Sequence, residues 1–462
     1  MDCCPAMSGE SESRLILRMA LPSMAAMIAS SLCVLLDALL LGRADLSLSA
    51  AVSVSLPVQS LLQTIGFTLG TGAGSFISRS LGGGRAADAL SAASTAFFAA
   101  FFISIALCVP GFLFAAPLCR LLGADDAALP AAALYMRFTL AGGPLLCMNL
   151  VLSSLLRSLG DTRANMLAFC LAAAVSMPLQ LLLITALSLG VAGSGAVMLL
   201  REGLTLAALC FFLLRRHRRM RPRPGLFSLS RGIWAKIMRS GVPTLIRQGL
   251  TSVSAALLSR TAAAFGPAAL AGMGLAARIM ALVSSAVIGF GQGFQPVCGF
   301  AFGAGDLERV RRSYRFSMRC VVLSLLALGA ALLFLYTPVL TLFSPAPQAA
   351  QFAQKALRLQ SLSLFAQGAV IMMNMLVLSM GFPVRASIIA SSRQGFVLIP
   401  LLLILPRLLG ELGLFIAQSV SDLLSLVLCF VLSRSCLSAE SPTVTRSSCA
   451  PCGCSDAPTA SR

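Results

Sequence analysis

Apolar stretches of about twenty residues recur along nearly the whole chain, and that recurrence constrains the fold more than any other feature. At 1.5 Å rise per residue, a helix needs about 20 residues to cross a hydrocarbon layer of roughly 30 Å. Lipid offers backbone groups no hydrogen-bond partner, so only helices or closed barrels can span it. A barrel requires short strands alternating polar and apolar residues. Here the runs are continuous and rich in Gly, Ala and Leu, which predicts an all-α integral membrane protein. Composition agrees: 58% of the 462 residues are hydrophobic and 11% charged, where soluble domains carry about a quarter charged. Mean hydropathy is +0.90.

Apolar runs divided at polar or Gly/Pro breaks give twelve expected transmembrane helices: 15–42, 47–78, 88–118, 130–158, 163–188, 191–214, 234–264, 268–302, 313–343, 350–380, 385–406 and 411–433. The first run, Leu15 to Leu41, is too long for the core of a signal peptide and lacks a cleavage site, so it is expected to remain as a span. The formal charge of +19 falls mainly between spans. It reads as topology charge facing anionic lipid and not as a nucleic-acid surface. Arginines collect at alternate junctions: Arg14 and Arg18, Arg79 and Arg85, Arg157 and Arg163, the cluster from Arg215, the run from Glu308, Arg385, and Arg434. The positive-inside rule places these junctions and both termini in the cytoplasm of a cell-membrane protein.

The chain also repeats itself. An offset of 221 residues relates Pro22 to Pro243, Gly82 to Gly303, Gly84 to Gly305, Ser158 to Ser379 and Gly160 to Gly381. Six helices separate the copies, so both enter the membrane in the same sense, which predicts two six-helix bundles related by a pseudo-two-fold along the membrane normal. The expected organisation is a tail (1–14), an N-terminal lobe (15–214), a basic cytoplasmic linker (215–233), a C-terminal lobe (234–433) and a disordered tail (434–462). Two such bundles can rock about a central cavity, the architecture of an alternating-access transporter.

Sixteen acidic residues occur, and only Asp37, Glu202 and Asp422 are placed inside spans. A carboxylate at mid-helix costs about 2.5–3.5 kcal/mol on insertion scales, so it implies a cavity, a partner or a proton. Asp37 precedes Arg43 by six residues, about 9 Å along a helix, in the outer half of the first span. Arg247-Gln248 and Arg393-Gln394 also lie inside apolar helices, with Asp422 the economical partner for the arginines. Two roles stay open for them, helix–helix bridge and substrate contact. Gln292, Gln295 and Asn374 complete the expected cavity or inter-helix polar network. Pro22 and Pro296 are candidate helix bends. Arg201 and Glu202, adjacent on one helix, diverge by about 100° and are expected to pair with other helices. His217 reads as a solvated linker residue.

The stretches LPSMAAMIASSLCVLLDALLLGR, SRSLGGGRAADA, LVLSSLLRSLGDTRANM, SLGVAGSGAV, GVPTLIRQGL, GFGQGFQPVCGFAFGAG, ASSRQGFVLIPLLLILPRLLG and AQSVSD resemble, in order, the multidrug and toxic compound extrusion (MATE) transporters from about Leu15 to Ser433. The resemblance implies a twelve-helix exporter exchanging an entering cation for a departing organic compound. It also implies a coupling role for Asp37, which matches the family's first-helix aspartate within D-x-x-x-x-G. Many members carry an Asn and an Asp four apart on the fifth helix, where this chain has Ser176 and Gln180. The cation cage is then one negative charge short, which favours a proton over sodium.

The expected function is a cation-coupled antiporter, proton favoured over sodium, for amphipathic drugs or organic metabolites. It is expected to work as a monomer, with no cofactor, no bound metal and no nucleic-acid partner. The alternative is a lipid-linked saccharide flippase in which Arg247 and Arg393 bind pyrophosphate. An enzyme is not expected, since no H-E-x-x-H, G-x-S-x-G or paired-aspartate motif occurs. Fifteen cysteines follow no framework of spacings, and the tail thiols Cys449, Cys452 and Cys454 lack a fourth metal ligand.

Overall fold

The computed structural model describes residues 11–44, 46–126, 128–187, 189–227, 231–341 and 347–437; side chains at 37–44, 46–51, 185–186, 231, 335, 337–339, 341 and 433–437 are outside the description. The tail cysteines lie outside the described residues.

The described residues form helices joined by short connections, with no strand among them. α1 (Glu12–Ala44), α2 (Leu46–Gly82), α3 (Ala86–Leu113), the short α4 (Ala115–Leu121), α5 (Leu129–Ser158), α6 (Thr162–Leu181) and α7 (Gly190–Arg216) form the first half. α8 (Arg231–Ala263), α9 (Pro267–Gly303), α10 (Leu307–Thr341), α11 (Pro347–Met380), α12 (Pro383–Ser391), α13 (Leu398–Leu409) and α14 (Glu411–Leu437) form the second. α12 and α13 are two pieces of one span, so six long rods stand in each half. Eleven rods are apolar enough to cross a membrane by composition. The remaining rod, α8, has the length but carries Lys236, Arg239, Arg247 and Arg260.

Helix ends follow from local chemistry. Gly84 and Gly305 take φ of 73° and 83°, and Gly160 and Gly381 take 83° and 84°. These repeat-related pairs reverse the chain in a left-handed conformation that a Cβ disfavours. The third expected span is shorter than its apolar run, because α3 stops before Phe114 and the chain restarts as α4. Within each half one helix is surrounded by the others: 67% of the α5 span window and 78% of the α11 window are buried, against 28–39% elsewhere.

The halves meet through α1 on α9 and α2 on α8 and α9. A Cβ on Gly82 would overlap the Phe300 carbonyl, and one on Gly303 would overlap the Arg79 carbonyl. Gly303 is Gly82 displaced by 221 residues and Phe300 is Arg79 displaced likewise, so the contacts are reciprocal, as a two-fold requires. Arg79 adds hydrogen bonds from Nη1 to the Ser379 and Leu378 carbonyls at 2.9 and 3.3 Å, and from Nη2 to Ser240 Oγ at 3.2 Å. These contacts form a seal at the arginine-rich end of the bundle.

The segment after α7 is less solvated than its composition predicts. Short 3₁₀ turns at Arg218–Met220 and Pro224–Leu226 bury Met220, and the Phe227 ring packs on Phe98 and Phe102. His217 is not a free loop residue: its Nε2 stands 3.4 Å from Asp161 Oδ2 and its side chain is 23% exposed. Asp161 caps α6 by accepting from the Ala164 amide and also pairs with Arg216 at 3.1 Å. Burial pushes the Asp161 carboxyl up, but His217, the Ala164 amide and Arg216 outweigh it and hold it at about 2.

Candidate functional site

Three neighbouring cavities with shared lining residues lie between the halves, and Met27 lines all of them. One of about 360 Å³ faces the first half, one of about 470 Å³ faces the second, and one of about 170 Å³ lies between. Their walls mix soft apolar groups such as Phe67, Met280 and Met375 with a few charged side chains, the usual make-up of a small-molecule site.

In the first cavity, Glu202 of α7 is 7% exposed. Asn149 of α5 donates from Nδ2 both to the Glu202 carboxylate and to its backbone carbonyl, each at 2.9 Å. Arg201 Nη2 lies 3.3 Å from Glu202 Oε1, so these neighbours pair with each other as well as across helices, a correction to the sequence reading. Long side chains leaving adjacent positions curl toward one another where the cavity leaves room. Arg157, held by Ser153, and Arg278 of α9 complete the charged lining. The Oδ1 atoms of Asn149 and Asn165 are buried without a partner among the described residues.

Asp37 belongs to α1, and its side chain lies outside the described residues. Ser176 and Gln180 are buried on α6 and line none of the three cavities; Ser176 Oγ donates to the Ala173 carbonyl of its own helix at 3.3 Å.

In the second cavity the polar lining is set by a break in the eleventh span. A π-helical turn at Ser392–Phe396 contains Gly395 at φ −121°, ψ −107°, outside helical values. The disturbed carbonyls find hydroxyl donors: Ser421 Oγ donates to Arg393 O at 2.9 Å, and Ser254 Oγ donates to Gln394 O. Such turns recur at functional sites because they re-aim side chains without ending the helix. Here Arg393 reaches α14, and its Nε donates to Asp422 Oδ1 at 2.6 Å. Gln418 and Ser363 also donate to Asp422, at 3.2 and 3.5 Å.

Arg247 departs from the sequence reading, which gave it Asp422 as partner. It lines the second and middle cavities, yet among the described residues its side chain makes no ion pair or hydrogen bond. Gln248, Asn374 and Gln394 line the second cavity with it, and Asn374 Oδ1 is buried without a partner among the described residues. Gln292 lines the first and middle cavities, whereas Gln295 ties the halves together by donating to Ser75 Oγ at 2.7 Å. α1 and α9 run continuously through Pro22 and Pro296. A non-helical backbone conformation inside a span occurs at Gly395.

Sequence reasoning missed Asn149, Arg157 and Arg278 as cavity residues. Arg278 carried a usable signal, a lone cation inside an apolar helix, whereas a single Asn among leucines carries little.

Comparison with known proteins places this geometry in context. The MatE family model matches twice, at residues 22–182 and 243–404. The chain is 24% identical over 425 residues to an FAD transporter of Shewanella oneidensis, covering 91% of this chain and 94% of that protein. It is 21% identical over 422 residues to the multidrug export protein MepA of Staphylococcus haemolyticus, covering 90% and 93%. A crystal structure of MATE in complex with MaL6 matches with a TM-score of 0.89 at 24% identity, covering 94% of this chain and 98% of that one.

Proposed function

The chain belongs to the MatE (multidrug and toxic compound extrusion) family of membrane transporters, and from that premise we propose that it exports amphipathic drugs or organic metabolites in exchange for an inward-moving cation, a proton in preference to sodium. The observation that carries this reading is the position of the cavities: they are lined from two repeated six-helix halves, and none of Arg79, Gly82 and Gly303, where the halves touch, lines them. An arrangement closed at one end by contacts between halves is suited to alternating access, since separating the seal and closing the opposite end exchanges the exposed side. Proposed lobes at 15–214 and 234–433 move against each other, joined by the basic segment 215–233. With the arginine-rich end and both termini in the cytoplasm, the cavities face outward. The protein acts as a monomer in the cell membrane, because each chain carries both halves of the site.

Coupling is assigned to Asp37, with Ser176 and Gln180 of the fifth span as further oxygen ligands. A carboxylate that takes up a proton from outside loses its charge and lowers the cost of the next conformational step. The names of the relatives, a multidrug export protein and an FAD transporter, support an organic cargo.

The test is transport in proteoliposomes under separately imposed proton and sodium gradients, with a cationic dye and a flavin nucleotide as cargo. Wild type should move at least one cargo against an inward proton gradient, faster than under sodium, and Asp37→Asn should abolish coupled movement while remaining folded. Unchanged efflux in the variant rejects the coupling role, and indifference to both gradients rejects antiport.

A further inference from the structure

Five arginines line the cavities, Arg157, Arg201, Arg278, Arg247 and Arg393, against two carboxylates, Glu202 and Asp422, among the described side chains. Asp37 in its charged form still leaves the cations in excess. Arg201 is matched by Glu202 and Arg393 by Asp422. Of the remaining three, Arg157 is held by Ser153 and Arg278 is exposed, whereas the half-buried Arg247 has neither an ion pair nor a side-chain hydrogen bond among the described residues.

That distinction separates the two roles open to a buried arginine. A helix-bridging arginine is ion-paired to its neighbour helix, as Arg393 is to α14. An arginine kept at a cavity wall without a partner has its donors directed at whatever fills the cavity, because an uncompensated guanidinium in a low-dielectric site is costly. Arg393 uses its Nε on Asp422, and its Nη groups have no hydrogen bond among the described residues. Amides from Gln248, Asn374 and Gln394 line the same cavity and can donate as well. Around them stand Met280, Met375, Ile288 and Leu258, which suit an apolar body.

We propose that the cargo is an amphipathic organic anion, bearing a carboxylate or phosphate on an apolar body, and that Arg247 is its primary anchor, with the Nη groups of Arg393 and the Asn374 amide as secondary donors. This inference rests on the exporter reading for its biological sense but not for its measurement, which is equilibrium binding. Guanidinium forks match carboxylate and phosphate oxygens in bidentate geometry, so the anchor discriminates by charge and by planarity.

The experiment uses the full chain in nanodiscs of neutral phosphatidylcholine and three probes sharing one ring system: 2-naphthoate, 2-naphthyl phosphate and (2-naphthyl)trimethylammonium. At least one anion should bind ten-fold or more tightly than the cation, and the two anions separate carboxylate from phosphate recognition. Arg247→Gln should weaken the bound anion ten-fold or more without altering cation binding, and Arg247→Lys should restore part of the loss. Equal or tighter binding of the cation by wild type overturns the proposal even if the Arg247 variants fail to fold. An Arg247→Gln protein that keeps the wild-type thermal transition and full anion affinity also overturns it. Saturation by dicetyl phosphate with neither naphthyl anion bound overturns it in favour of a lipid headgroup. Failure of the exporter reading looks different: anions bind as expected, yet no probe moves across proteoliposomes under any gradient.

Discussion

The two halves share a scaffold and differ in what they do with charge. α5 and α11 occupy equivalent central places, and the glycine turns after them superpose in sequence and in φ. One residue beyond those turns the copies part. Asp161 caps α6 and gathers Arg216 and His217. Its counterpart Phe382 offers no side-chain cap to α12 and packs instead on Phe302 and beneath Arg385. The cavities diverge in the same way. The first half holds its carboxylate, Glu202, between an amide and an adjacent arginine. The second breaks a helix to bring Arg393 onto Asp422 and leaves Arg247 unmatched. Duplication preserved the positions that set helix ends and close approach, while the polar residues were free to specialise, because a few side chains decide a cavity's charge without altering the packing.

The sharpest way to break that comparison is to remove one member of the ion pair from each half. Arg393→Ala leaves Asp422, 2% exposed, without its counter-charge, and is expected to cost about 3–5 kcal/mol. Adding Asp422→Asn in the same chain should recover much of the loss. Glu202→Ala removes hydrogen bonds to a partly accessible pair and is expected to cost about 1–3 kcal/mol. Thermal unfolding of the three variants in detergent checks the order; equal losses in both halves would mean that the ion pairs are equivalent after all.

A second group of variants asks whether the seal is as symmetric as its glycines. Gly82→Ala and Gly303→Ala each drive a methyl into a carbonyl of the opposite half, an overpacking worth about 1–3 kcal/mol that should shift the chain toward separation. Cys298 is fully buried beside this contact and reports opening directly. Maleimide labelling of Cys298 should rise in both variants by similar factors, and rise also in Arg79→Gln, which loses the hydrogen bonds to the 378–379 carbonyls. Labelling that rises for one glycine alone would show that one copy carries the seal.

The smallest expected effect lies at the helix caps. The folded Asp161 carboxyl sits at about 2, below its ordinary value of 3.8. Its stabilisation is therefore complete above about pH 4 and is lost as pH falls toward 2. Asp161→Asn should cost about 1–2 kcal/mol at neutral pH after screening and flatten that part of the acid-unfolding profile. Phe382→Ala should leave the same acid profile unchanged.

Which features could be read in advance follows from their range along the chain. Hydropathy fixed the rods, apart from the early stop of α3 and the break at Gly395, which no apolar average reports. The offset of 221 residues fixed the pairing of Gly82 with Gly303 and of Gly160 with Gly381, though not that the first pair would touch each other's half. Arg247, Arg393, Gln248, Asn374 and Asp422 were all singled out as intramembrane polar residues, and they do share one cavity. Their partners were not legible, nor was the contact of His217 with Asp161.

By itself, then, the sequence determined a twelve-helix membrane protein, its duplication and its resemblance to an exporter family, since each depends on runs, periods and motifs that lie along one dimension. Only the tertiary structure decided which arginine found a carboxylate and which did not, where the halves close, and how a π-helical turn aims Arg393 at α14. Those outcomes depend on which helix faces meet across tens or hundreds of residues, and a side chain's charge partner is a property of that meeting.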